Sequence, residues 1–313
     1  MTQKLAIVFP GQGSQSVGML GDLYQHDSVK DTFTEASAAL GYDLWALVAN
    51  GPEADLNETH RTQPALLTAS VAIWRLWQQQ GGDTPLYLAG HSLGEYSALV
   101  CADVLSLGQA VKLVEQRGHY MQQAVPAGVG GMSAIIGLDD AAITKACAEA
   151  AQGEIVAPVN YNSPGQVVIA GHKAAVERAG ELCKAAGAKR ALPLPVSVPS
   201  HCALMRPAAE KLASDLAALN FNTPQLPVIN NVDVSIASDS AAVKEALIRQ
   251  LYSPVRWTET IEWLASQGVT AVLELGAGKV LSGLIKRIDK NLTTSSVYDQ
   301  ASLQSALTQL TQE

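Results

Sequence analysis

Apolar residues follow two different periodicities along this chain. Short apolar runs bounded by glycine or proline are typical of buried strands, whereas apolar residues that recur every three or four positions predict amphipathic helices. Strands are predicted in this way at residues 5–9, 86–90, 226–230 and 269–275, and helices at residues 29–40, 64–80, 107–121, 203–219, 241–251, 258–267 and 280–288. This alternation of strands and helices indicates an α/β core with a parallel sheet.

The segment between residues 132 and 196 has a different order of elements. Its pattern predicts strands and helices in the order βαββαβ, which is that of the ferredoxin-like unit, with a turn at residues 162–165. A glycine-rich hinge at residues 127–131 precedes the segment. We therefore expect a large α/β-hydrolase-like core formed by residues 1–128 and 200–313, and a smaller inserted subdomain formed by residues 129–199.

One serine lies where a predicted strand passes directly into a predicted helix. Ser92 stands between Gly90 and Gly94 in the pattern Gly-x-Ser-x-Gly, the nucleophile elbow of α/β hydrolases. Glycine fits there because a sharp turn leaves no room for a β-carbon. The amide of Leu93 and the helix dipole would favour a developing oxyanion. The alternative is a chance match of three fixed positions, and the motif alone predicts only acyl chemistry at a serine.

A serine nucleophile needs a base, and His201 is the candidate. It follows a predicted strand in a proline-bounded turn, and it comes after the serine, as in this type of fold. The alternative is a solvated histidine. His91 adjoins the serine with its ring directed away, so we expect a structural role for it. No acidic residue between Ser92 and His201 stands out, which favours a Ser-His dyad oriented by a backbone carbonyl.

Arg117 is a lone arginine on a mostly apolar predicted helix. Ordinarily its head group would extend to water. If it is buried near Ser92 instead, its guanidinium could hold a carboxylate in a bidentate pair, which a lysine could not match.

The composition argues against several classes of protein. The chain has 313 residues, of which 48% are hydrophobic, so it can bury a large core. Its net charge of −8 argues against nucleic acid as a partner. No apolar run reaches the length of a signal-peptide core or a membrane span, so we expect a cytoplasmic protein without a membrane partner. The four cysteines lack the spacing of a metal site, and we expect no bound metal.

Seven short motifs occur together and in one order. They are Gly11-Gln12-Gly13-Ser14-Gln15, Gln63-Pro64-Ala65, Gly90-His91-Ser92-Leu93-Gly94-Glu95, Arg117-Gly118, Asn160-Tyr161-Asn162-Ser163-Pro164, Pro199-Ser200-His201 and Gly276-Ala277-Gly278-Lys279. With this combination the chain closely resembles the malonyl-CoA:acyl-carrier-protein transacylases of bacterial type II fatty acid synthesis, over essentially its whole length. Ala277 departs from that family, which often has a proline there, and we expect little functional effect.

The resemblance implies roles for the residues around the serine. Ser92 would be the acylated nucleophile and His201 its base. The main-chain carbonyl of Gln250 would orient the histidine, so that the side chain of Gln250 need not matter. The backbone amides of Gln12 and Leu93 would form the oxyanion hole.

The resemblance also implies how the acyl group is bound. Arg117 would clamp the malonyl carboxylate. The remaining substrate-binding positions are Gln63, His91, Met121, Met132, Asn162 and Val198, and ordinary packing is the alternative, above all for the methionines.

The resemblance further implies a ping-pong reaction. Ser92 takes the malonyl group from malonyl-CoA, and the phosphopantetheine thiol of an acyl carrier protein then removes it. Coenzyme A is substrate and product, no cofactor is permanently bound, and we expect a monomer. A serine esterase or thioesterase shares the elbow and the histidine and is the main alternative; a non-catalytic acyl-binding protein is a more remote one.

Carrier proteins of this kind are acidic, and so is this chain, which means that docking requires a local patch of positive charge. The candidate cations lie on the last strand of the small subdomain and on the helix after Gly278, and they are Lys189, Arg190, Lys286, Arg287 and Lys290. The alternative is an ordinary solvated surface.

Overall fold

The computed structural model describes residues 3–196 and 198–310. Its large sheet consists of β1 (Leu5–Phe9), β2 (Tyr87–Gly90), β7 (Val228–Ile229), β8 (Ala271–Leu275) and β9 (Thr293–Val297). These strands are parallel and lie in the order β7-β2-β1-β8-β9. The predicted α/β core with a parallel sheet is thus confirmed.

The central strand β1 is buried on both faces of this sheet. Leu5, Ile7 and Phe9 pack into one hydrophobic cluster, and Ala6 and Val8 pack into another. A continuous apolar run of this kind is typical of a parallel strand that is covered by helices on both sides.

Helices lie on both faces of this sheet and, in two cases, on the second sheet described below. They are α1 (Asp27–Leu40), α2 (Leu44–Asn50), α3 (Glu53–Leu56), α4 (Thr59–Gln79), α5 (Gly94–Cys101), α6 (Leu107–Ala124), α7 (Asp140–Ala151), α8 (Lys173–Ala185), α9 (Arg206–Ala218), α10 (Ser240–Gln250), α11 (Trp257–Ser266), α12 (Val280–Ile288) and α13 (Gln300–Leu310). Helices α11 and α12 pack on the side of Ala6 and Val8, whereas α1, α4, α6 and α9 pack on the opposite side. Within residues 3–196 and 198–310, no helix is both long and apolar enough to cross a membrane.

A second sheet is antiparallel and consists of β3 (Gly130–Ile136), β4 (Val156–Ser163), β5 (Gln166–His172) and β6 (Arg190–Pro193). Its order is β4-β5-β3-β6, and α7 and α8 pack on one face, as the βαββαβ pattern predicts. The boundaries of the large core and the small subdomain at 128/129 and 199/200 stay a prediction. Residues 1, 2, 197 and 311–313 of these predicted domains lie outside the described part of the chain.

Backbone hydrogen bonds join the second sheet to the core. The amide of Val255 donates to the carbonyl of Val159 at 2.8 Å, and the amide of Tyr161 donates to the carbonyl of Val255 at 3.0 Å. These bonds also explain a difference from the sequence prediction. The apolar run at residues 155–159 predicts a strand that ends at residue 159, but β4 continues to Ser163 because Val255 on one side and β5 on the other supply hydrogen-bond partners.

Three further elements differ from the prediction. Helix α4 begins at Thr59 rather than at Pro64, so the proline lies inside the helix, where the bond that an amide would donate to the carbonyl of His60 is absent. Strand β9 and helix α13 were not predicted, since the sequence Thr-Thr-Ser-Ser of β9 has no apolar alternation. That strand lies at the edge of the sheet, paired with β8, where polar residues are accommodated.

Candidate active site

The turn between β2 and α5 holds Ser92 in a left-handed backbone conformation, with φ of 53°. A β-carbon on Gly90 would overlap the backbone of Gly94, and one on Gly94 would overlap the carbonyl of Phe9. The strand and the helix therefore approach each other as closely as glycine allows. This is the tight, strained turn that presents a nucleophile above the end of a sheet.

Ser92, His201 and Gln250 form a continuous line of hydrogen bonds. The Oγ of Ser92 lies 2.8 Å from Nε2 of His201, and Nδ1 of His201 lies 2.7 Å from the main-chain carbonyl of Gln250. Because a carbonyl only accepts, Nδ1 carries the ring proton and Nε2 is free to accept the serine proton. The third group is thus a backbone carbonyl and not a carboxylate.

Burial makes His201 a neutral imidazole. The side chain is 3% exposed, and burial lowers its pKa to about 3, with a further lowering from the charge of Arg117 and an opposing effect of the bond to Gln250. The ring therefore accepts the serine proton from a neutral state. The backbone of His201 is also left-handed, with φ of 66°, and its amide donates to the carbonyl of Leu251 at 3.0 Å.

Arg117 is 1% exposed and has no carboxylate within ion-pair distance in the described residues. Its Nη1 donates to Oε1 of Gln63 at 2.9 Å, and its Nη2 donates to Oε1 of Gln250 at 3.0 Å. Its Nε is buried without a hydrogen-bond partner. The guanidinium carbon lies 5.3 Å from the ring centroid of Tyr96. An uncompensated cation with spare donors is a site for an anion.

The side chain of Gln250 makes contacts that the sequence analysis did not foresee. Besides accepting from Arg117, its Nε2 donates to the carbonyl of Ser92 at 3.1 Å and to Oε2 of Glu95 at 2.8 Å. From the sequence, only its main-chain carbonyl is expected to matter. Both parts of this residue are in fact tied to the site.

Two backbone amides lie beside Ser92. In the described part of the chain neither the amide of Gln12 nor that of Leu93 donates a hydrogen bond within the protein. The loop that carries Gln12 approaches the elbow closely, since a β-carbon on Gly11 would lie 2.6 Å from the carbonyl oxygen of His91. Two free donors at this place are suited to an oxyanion.

A cavity of about 360 Å³ opens in front of Ser92. The residues predicted from the sequence that line it are Gln12, His91, Leu93, Arg117, Met121, Met132, Val198 and His201. Two others lie behind this lining: Gln63 binds Arg117 and the sulfur of Met121, and Oδ1 of Asn162 lies 2.8 Å from Nε2 of His91. The lining also includes Leu194, Pro195 and Val196, which the sequence did not single out.

Glu95 and Asn231 also belong to the surroundings of the elbow. Asn231 accepts from the amide of Ser92 through Oδ1 at 2.7 Å and donates to the carbonyl of Gly90 through Nδ2 at 2.6 Å. Its own amide donates to Oε2 of Glu95 at 2.9 Å. Glu95 stands inside the sequence motif around Ser92, whereas no local pattern marks Asn231.

Comparisons with known proteins show the family of the chain. Residues 6–302 match the family described as acyl transferase domain. A malonyl CoA-acyl carrier protein transacylase of Salmonella typhimurium is 66% identical over 310 residues, which are 99% of this chain and 100% of that protein. The chain belongs to this acyl transferase family. The family recognised from the sequence motifs is confirmed.

Solved structures agree with the fold of this acyl transferase. An acyl carrier protein S-malonyltransferase from Vibrio cholerae is 70% identical with a TM-score of 0.95, and the match covers 96% of this chain and 99% of that one. A second similar structure is that of a type II PKS acyl-carrier protein in complex with its malonyl-transacylase. The matched chain is 63% identical to this one with a TM-score of 0.97, and the match covers 98% of this chain and 99% of that one.

The candidate docking cations of this acyl transferase are exposed and lie outside the cavity lining. Nη1 of Arg287 on α12 donates to Oε1 of Gln166 at 2.6 Å, and Ile136 lies between Gln166 and Arg190 in the small sheet. Arg287 thus contacts the small sheet two strands away from Arg190.

The neutral state of His201 can be checked by NMR. Because its pKa lies at about 3 rather than at the ordinary 6.5, we expect its ring resonances not to shift between about pH 8 and about pH 5. The signal is assigned by its disappearance in His201→Ala. A titration midpoint near 6.5 would contradict the buried, neutral imidazole.

Proposed function

We propose that this acyl transferase moves malonyl groups from malonyl-CoA to the phosphopantetheine thiol of an acyl carrier protein through a malonyl ester of Ser92. Its curated relatives at 62–66% identity are malonyl CoA-acyl carrier protein transacylases by name. The single observation that carries the mechanism is that Ser92, its base His201 and the unpaired cation Arg117 share one cavity.

The first half-reaction forms the ester. As Oγ of Ser92 attacks the thioester carbonyl carbon, its proton passes to Nε2 of His201, and the negative charge on the carbonyl oxygen is held by the amides of Gln12 and Leu93. Collapse of this intermediate breaks the carbon–sulfur bond. The leaving coenzyme A thiolate takes the proton from His201, so atoms and charges balance.

The second half-reaction is the same chemistry in reverse. The carrier thiol gives its proton to His201 and attacks the ester carbonyl, and Ser92 recovers its proton as the carbon–oxygen bond breaks. Coenzyme A takes part as a substrate and product, and the absence of a permanently bound cofactor stays a prediction. The expected monomeric state and cytoplasmic location also stay predictions.

Arg117 supplies selectivity. A malonyl carboxylate would use the donors that the two glutamines leave free and would offset the buried charge. An acetyl group would leave the same charge unpaired, which costs binding energy in a buried site. The clamp also fixes the ester where a thiol delivered along the cavity can reach it.

The ester is the first feature to test. Mixing the protein with malonyl-CoA should give a malonyl adduct on Ser92 in an intact-mass and peptide-mass measurement, and Ser92→Ala should give none. Adding an acyl carrier protein should transfer the adduct. Release of free malonate as fast as transfer would contradict the proposal and favour a thioesterase.

A second prediction concerns the clamp. Arg117→Ala should lower kcat/KM for malonyl-CoA by about 10- to 100-fold relative to acetyl-CoA, because at least one hydrogen bond to a charged group is lost. Arg75→Ala is the matched control, since Arg75 pairs with Glu35 away from the cavity and should leave the ratio of the two donors unchanged. Equal losses with both donors in Arg117→Ala would exclude the clamp.

The docking surface gives a third prediction. Reversing two charges, in the double variant Lys286→Glu with Arg287→Glu, should raise KM for the carrier protein several-fold and leave KM for malonyl-CoA unchanged, because it repels an acidic partner. The double variant Lys112→Glu with Lys145→Glu changes the net charge equally at two exposed positions of α6 and α7. If both double variants raise KM alike, only net charge matters and this docking site is excluded.

A further inference from the structure

Glu95 is a buried carboxylate that the mechanism above leaves without a role. It lies in the first turn of α5 and is 2% exposed. In the described residues no cation lies within ion-pair distance of it; its Oε2 accepts hydrogen bonds from the side-chain amide of Gln250 and from the backbone amide of Asn231. Burial raises its pKa to about 7. Such a costly group directly below a nucleophile is more typical of a functional site than of a structural core.

The contacts of Glu95 decide how the amide of Gln250 is oriented. The NH2 end of that amide faces two acceptors, the carboxylate of Glu95 and the carbonyl of Ser92, so its oxygen faces the guanidinium of Arg117. In the flipped orientation, an N–H would face the guanidinium and an oxygen would face the carboxylate. The contact with the guanidinium would be repulsive, and so would the contact with the ionised form of Glu95, so the observed orientation is favoured.

Gln250 is therefore the link between Glu95 and both functional side chains. Its main-chain carbonyl accepts from His201, and its side-chain oxygen accepts from Arg117. Because Gln250 is completely buried at the end of α10, a change at its amide cannot be compensated by water. A change in the orientation of the Gln250 side-chain amide would therefore directly affect its hydrogen bond with Arg117.

We propose that Glu95 is a positioning residue for acyl selectivity: by accepting from the amide of Gln250, it fixes the oxygen that orients Arg117 toward the carboxylate of the acyl donor. This inference rests on the proposed function of Arg117 as the clamp. Glu95 does not touch the reacting atoms, and its effect passes through Gln250.

The test measures acylation of Ser92 by malonyl-CoA and by acetyl-CoA in the same variants. Glu95→Ala should lower the ratio of malonyl to acetyl kcat/KM by about tenfold or more, because the orientation of Arg117 is lost. The ratio is the readout because Glu95 also holds Asn231 below the elbow, and that contact affects both donors alike. A purely structural role would lower both rates and leave the ratio unchanged.

Glu95→Gln serves as the conservative rescue. Its side-chain oxygen can still accept from Gln250 and Asn231, so the ratio should stay within about fivefold of that of the wild type. The Glu95→Gln variant also keeps the proposal testable if Glu95→Ala does not fold. A wild-type ratio in Glu95→Ala, or a ratio in Glu95→Gln as low as that expected for Glu95→Ala, would overturn the proposal.

A double-mutant cycle checks the route through Gln250. Gln250→Leu keeps the main-chain carbonyl for His201 and removes the side-chain contacts, so it should lower the ratio as Glu95→Ala does. The double variant Glu95→Ala with Gln250→Leu should lower the ratio little more than either single variant does, because both substitutions remove the same connection between Glu95 and Arg117. Additive losses would show that Glu95 acts by another route.

If the wild type forms no malonyl ester on Ser92, the proposed function fails. If it forms the ester and the ratios of the variants do not change, only this inference fails.

Discussion

The positive charge of Arg117 is buried with no ion pair among residues 3–196 and 198–310, and the other polar groups of the site are arranged around it. Burying an unpaired charge is costly, and the cost is reduced here by two glutamine oxygens and the nearby face of Tyr96. One of these glutamines, Gln250, also accepts a hydrogen bond from Nδ1 of His201 through its main-chain carbonyl. Arg117 and His201, the proposed clamp and the proposed base, are therefore both hydrogen-bonded to the same residue.

The same cation also affects the protonation of His201. Arg117 is one of the groups that lower the pKa of His201, after burial itself. A carboxylate bound to Arg117 would offset that part of the effect and make the imidazole a better proton acceptor. The acyl donor with the matching charge would thus meet a stronger base than a neutral donor would, which adds a kinetic contribution to the selectivity that comes from contact alone.

The sequence predicted the parts of the site that depend on local pattern. The elbow requires glycine at two fixed positions, and the parallel core follows from alternating apolar runs, so both are visible in the chain. Glu95, Asn231 and the side chain of Gln250 act through contacts between residues more than 130 positions apart, as in the bond between the amide of Ser92 and Asn231. Such contacts have no local signature. Strand β9 was missed for a related reason, since its pairing with β8 and not its own composition makes it a strand.

The small subdomain completes the cavity rather than merely adjoining it. Met132 on β3 and residues 194–196 after β6 line the cavity together with the elbow, and Asn162 on β4 meets His91 beside the serine. Arg190 begins β6 at its exposed end, and the four residues of that strand span roughly 13 Å. A carrier protein that binds at Arg190 would therefore lie about one short strand from the cavity lining. Since β4 is also hydrogen-bonded to Val255, any movement of the subdomain would change the cavity together with the proposed docking surface.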